Sequence, residues 1–277
     1  MDARGGLRRY AVLSWHLARA GYLSSTRDRV DLGLGILTNV VRQGVSLALI
    51  GIVLANFRVL AGWSLPAIAL LIGLRSMSHG IFVAFLNPIR GVQEQVRRGD
   101  LDRMLLRPIG VLYQAAFGGT VELLGFGDFL VGFVYFVYAM VGLHVRWTLP
   151  VAAFTVVATF SGVAIEFAVY LASGIVAFWT LQDSPFYALT YLLHERLALY
   201  PISIYGHIIQ FVMSWVVPIG FINFFPAAVF IAHSRLAMPT GVAAALGWLT
   251  PVVAACALAA AVILWGAAVR RYESTGS

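Results

Sequence analysis

Six apolar blocks, each near the roughly 20 residues a helix needs to cross a bilayer, alternate along the chain with short segments rich in arginine and turn residues. They run from about Leu32 to Asn56, Leu65 to Leu86, Phe117 to Leu143, Leu149 to Thr180, just after Tyr200-Pro201 to Phe221, and Leu246 to Val269. In hydrocarbon every backbone N–H and C=O must be satisfied within its own segment, so blocks of this kind predict helices. The expected fold is all-α: a polytopic bundle of six transmembrane helices forming one domain over residues 1–277.

Three segments depart from that rhythm. Residues 1–30 mix Tyr10, Trp15 and Tyr22 with Arg8, Arg9, His16 and Arg19, which predicts an amphipathic helix lying in the headgroup layer. The run Phe221 to Ile231 is apolar but too short to cross after a full fifth span. A re-entrant turn on the outer side is expected there, holding Asn223 and broken by Pro218 and Pro226. Between spans two and three lies the longest polar stretch, residues 87–110. Gly99 can end one short helix, Asp100 can cap the next and Pro108 stops it, which would align Leu101, Leu105 and Leu106 as an apolar edge among Asp102, Arg103 and Arg107. A rod of that kind suits docking onto a cytoplasmic partner.

Composition supports the membrane reading: 60% of the 277 residues are apolar and 11% charged, too few charges for a soluble domain of this length. The net charge of +7 does not point to nucleic acid, because the basic residues, all nineteen of them arginine, sit beside the apolar spans. Fourteen arginines fall before span one, between spans two and three, between four and five, and after six, against Arg58, Arg146 and Arg235 on the opposite side. The excess places both termini in the cytoplasm and independently requires an even number of spans. Cys256 is the lone cysteine, so no internal disulfide can form.

Two motifs resemble one family. Arg98-Gly99-Asp100-Leu101-Asp102-Arg103-Met104-Leu105-Leu106-Arg107-Pro108, and Tyr200-Pro201 followed by Pro218-Ile219-Gly220-Phe221-Ile222-Asn223-Phe224-Phe225-Pro226-Ala227, resemble the patterns of type-2 permeases of ATP-binding-cassette exporters. The resemblance implies a coupling helix contacting an ATPase through Arg97, Arg98, Gly99, Asp100, Leu101, Leu105, Leu106, Arg107 and Pro108. It also implies two cassette ATPase subunits or domains that carry ATP and Mg, a second permease that is identical or homologous, and a bacterial inner membrane setting. The chain has no G-x-x-x-x-G-K-[ST] loop and no lysine, so no cofactor of its own is expected and no P-loop site for ATP exists in this sequence.

Inside the apolar spans sit Arg42, Arg75, His79, Glu122, Asp128 and Glu166, each costly in hydrocarbon and so expected to face a translocation path or a buried partner. Arg42 or Arg75 paired with Glu166, and Glu122 and Asp128 snorkelling to an interface, are the structural alternatives. No metal site is expected: His194-Glu195 lacks the second histidine of H-E-x-x-H. A rhomboid-like hydrolase would need Gly-x-Ser-Gly, but Thr159 and Leu171 stand where its first glycine belongs. An ion-coupled transporter or channel is the closer rival, since intramembrane charges can carry protons or ions.

Overall fold

The computed structural model describes residues 62–118, 121–176, 178, 185–232 and 241–272, with scattered positions between 33 and 48. The expected interfacial helix and most of the first predicted span therefore lie outside the described residues. Every regular element among them is helical. Among the described residues, four helices are long and apolar enough to cross a membrane: Leu65–Arg97, Leu123–Gly142, Leu149–Ile175 and Thr250–Arg270. The first comprises α1 (Leu65–Leu86), a 3-10 turn (Asn87–Gly91) and α2 (Val92–Arg97). The loop that follows holds α3 (Asp100–Leu105) and α4 (Val111–Phe117), and α5 (Leu123–Gly142) and α6 (Leu149–Ile175) are the next candidate spans.

Proline sets where three spans begin. Pro66, Pro150 and Pro251 each occupy a first-turn position, where a missing N–H costs nothing and the fixed φ favours the helix. α1 is the central helix and is buried nearly throughout, Arg75 and His79 included. It runs against α5 with almost no space between backbones. A Cβ on Gly73 would lie 2.8 Å from Phe136 N, and one on Gly80 would lie 2.6 Å from Gly125 O. Gly73 faces Gly132 and Gly80 faces Gly125, so glycines seven apart on each helix meet in antiparallel register. Small residues at such positions let membrane helices gain packing where no hydrophobic drive operates between them.

After α6 the chain forms α7 (Pro185–Glu195), then α8 (His207–Phe211), which passes into a π-helical turn, Val212–Val216. Pro218 breaks that turn, a 3-10 turn (Ile219–Phe221) follows, and α9 (Phe224–Ala232) completes a second limb bent 73° from the first. By length and composition this pair is a broken span or a re-entrant loop, giving four candidate spans or five. The expectation that Pro226 also breaks the chain is corrected, because it lies in the first turn of α9 and that helix continues through it. α10 (Gly241–Gly247) packs beside α9, and α11 (Thr250–Arg270) packs against α6.

Asn223 fixes the start of α9. It is 1% exposed, donates Nδ2 to Ala198 O at 2.6 Å and accepts from Phe224 N at 2.8 Å. Asn223→Ala would leave the Ala198 carbonyl buried without its partner. The expected loss is about 1–3 kcal/mol, visible as a lower midpoint of thermal unfolding in detergent.

Candidate functional site

Helical spacing explains how one charged cluster is assembled inside the bundle. Arg75 and His79 are four apart on α1, and Glu166 and Tyr170 are four apart on α6, so each pair projects from one face of its helix. The last two residues of α7, His194 and Glu195, complete the group, with Arg90 entering from the 3-10 turn after α1. Ser173 and Thr190, whose hydroxyl oxygens are 2.6 Å apart, hold α7 against α6 beside it.

Glu195 is the junction. Its Oε2 accepts from Arg75 Nη2 at 2.8 Å and its Oε1 from Arg90 Nη2 at 2.9 Å. Arg75 also donates Nε to His194 O at 3.1 Å, and Arg90 donates to the Tyr170 hydroxyl at 2.6 Å with its guanidinium over that ring. Glu166, 1% exposed, accepts from His79 Nδ1 at 2.7 Å through Oε1. His194 Nε2 lies 3.1 Å from the same oxygen without the alignment of a hydrogen bond, and it and Glu166 Oε2 are buried with no hydrogen-bond partner.

Two arginines and two carboxylates balance when both imidazoles are neutral. Burial pushes the Glu195 carboxyl up, but the positive field of Arg75 and Arg90 overrides it and holds the group well below the ordinary 4.5. Burial lowers His194 from 6.5, outweighing the opposing pull of Glu166. Such a network can tie three elements together, and it can receive a proton or a cation at the atoms left unpartnered.

The structure revises the expected pairings. Arg75 meets Glu195 and not Glu166, which instead lies between the two histidines. Glu122, ahead of α5, accepts from Asn87 Nδ2, joining the ends of α1 and α5. Asp128 is 5% exposed on α5, so it packs inside the protein and does not snorkel. Arg42 lies outside the described residues. His194, Glu195, Arg90 and Tyr170 were not among the expected site residues, and only the adjacent His-Glu pair in the sequence pointed toward them.

The loop between α1 and α5 forms a second candidate surface. Gly99, at φ +71°, takes the left-handed conformation that lets α2 turn into α3. Asp100 opens α3 as a first-turn residue, favourable to the helix dipole, with no side-chain capping bond. The predicted leucine edge is divided. Leu101 is 1% exposed and packs among Val92, Val96 and Ala115, whereas Leu105 and Leu106 are 48% and 86% exposed. Helix α3 ends at Leu105, so its neighbour leaves the helical face shared with Leu101. Gln114 fastens this end by donating Nε2 to both Met104 O and Ile109 O at 2.9 Å. Arg97, Arg98, Arg107 and Pro108 are exposed around it.

No curated protein and no solved structure matches the chain. One family model does, over residues 40–276, and its description is ABC-2 family transporter protein.

Proposed function

The chain belongs to the ABC-2 family of transporter proteins, and on that premise we propose that it is the permease half of an ATP-driven exporter powered by a separate ATPase. Membership makes it a transport membrane subunit and generally implies association with a cassette ATPase. The observation carrying the finer reading is the α3 corner: Leu105 and Leu106 project outward from a short helix held by buried Leu101, Gly99 and Gln114. Exposed leucines among arginines on a braced corner form a contact surface rather than a solvated loop.

In this reading two cassette domains bind Mg-ATP, and the α3 corner of each of two permeases, identical or homologous, rests on one of them. Six spans, cytoplasmic termini in a bacterial inner membrane and a re-entrant α8–α9 limb accompany it. ATP binding closes the motor, the corner passes on the movement, and the bundles alternate access for an amphipathic drug, lipid-like molecule or peptide. Leu106→Asp puts a carboxylate on the exposed contact without disturbing any buried group. It is expected to abolish co-purification with the ATPase while leaving the chain monodisperse and its thermal midpoint unchanged. Unaltered ATPase capture by the variant would refute the docking assignment.

The buried cluster favours ion coupling as the second reading, since intramembrane His and Glu groups serve proton and ion transport. Transport in vesicles separates the two. Export that needs ATP and persists after ion gradients are collapsed supports the ATPase-driven reading; export that follows the gradient supports the other.

A further inference from the structure

We propose that His79, His194 and Glu195 form a binding site for one divalent transition-metal ion of the zinc class, with Glu166 orienting His79 from behind. The three ligand atoms lie within 4.8 Å of one another, the histidines are buried, and they come from α1 and α7. The His-Glu pair that has no partner histidine in sequence thus acquires one through the fold.

The hydrogen bond from His79 Nδ1 to Glu166 places the ring proton on Nδ1 and leaves the lone pair on Nε2. A carboxylate behind a liganding imidazole is the usual outer-shell support of a metal site. Nε2 then faces Glu195 Oε1 at 3.8 Å, too far for a hydrogen bond. An ion about 2.0–2.2 Å from each atom would fit between them with slight closure. His194 Nε2 is buried with no aligned hydrogen bond, Glu166 Oε1 lying 3.1 Å away, and it offers the third ligand atom of the group. Two imidazoles with one carboxylate select zinc, cobalt, nickel or copper over magnesium or calcium, and a water would complete four coordination.

Charge decides how the ion is admitted. Arg75, 2% exposed, occupies Glu195 Oε2, and Arg90, 22% exposed, occupies Oε1, the atom the metal needs. An ion bound beside both arginines would leave two positive charges uncompensated by Glu166 and Glu195. If Arg90 instead swings to the solvent side, the buried charge rises by only one. Metal and Arg90 are therefore competitors, and binding releases the 3-10 turn that leads into α2 and α3.

The test is zinc titration calorimetry, with cobalt absorption spectroscopy, on the full-length tag-free protein in lipid nanodiscs. One zinc per chain and a cobalt spectrum of mixed imidazole and carboxylate ligation are expected. His194→Ala should abolish binding, and Glu166→Gln should weaken it by about 10–100-fold. Arg90→Ala should tighten it several-fold, an outcome that misfolding cannot imitate. Absence of stoichiometric binding, binding that survives His194→Ala, or weakening by Arg90→Ala would overturn the site.

Discussion

Glu195→Ala is expected to lower stability by about 3–5 kcal/mol, because it strips both arginines of their shared carboxylate and leaves Arg75 charged in the core. Arg75 is 2% exposed and cannot reach water by rotating its side chain. Glu195→Gln keeps an acceptor for one guanidinium but removes the charge, so its loss should be smaller. A better discriminator is the double variant Arg75→Met with Glu195→Leu, which exchanges a buried pair for apolar groups of similar size and should recover most of the loss. The measurement is the thermal midpoint in detergent across the four proteins. A single variant as stable as the parent would mean that the network contributes nothing to α7 docking. The pH dependence has a defined sign. Glu195 binds its proton less readily in the fold than in the unfolded chain, so its contribution is present above about 4.5 and is lost as pH falls toward its folded value. His194, held neutral, acts in the same direction below about 6.5. Acid should therefore destabilise the parent more steeply than Glu195→Gln.

Much of this arrangement was legible in the chain because hydrocarbon makes charges conspicuous. Arg75, His79 and Glu166 stood out against apolar surroundings, and their burial follows from the cost of leaving them in lipid. Their partners did not stand out. Glu195 closes a short amphipathic helix, where a terminal carboxylate raises no conflict, and sequence spacing does not specify which face of α7 meets α1. The assignment of Arg75 to Glu166 failed for the same reason: both lie on buried faces, but the rotation of α6 sets Glu166 between two imidazoles. In the loop, glycine chemistry gave the corner at Gly99, while the division of Leu101 from Leu105 and Leu106 depended on where six residues of helix stop. Gln114 carried no sequence signal, since an amide becomes informative only when two carbonyls converge on it.

Gly80→Leu is expected to separate α1 from α5 and to cost at least the upper end of the about 1–3 kcal/mol typical of overpacking. The contact is backbone on backbone. A Cβ at this position would come within 2.6 Å of Gly125 O and closer still to Phe129 N, so no side chain can rotate away to admit it. Moving α5 outward would also pull on the Glu122 N–H that bonds Ala84 O at 3.1 Å, and on the Asn87 to Glu122 contact that follows it. Because His79 adjoins the substituted position, the strain reaches Glu166 as well. Gly206→Ala is the matched control: nothing lies within 4 Å of a Cβ there, its φ is −64°, and the change should stay within about 0.5 kcal/mol. Thermal midpoints of the two variants in the same detergent decide the matter. If Gly80→Leu melts with Gly206→Ala, the two backbones are farther apart than their glycine register requires, and close packing of α1 on α5 does not hold the bundle together.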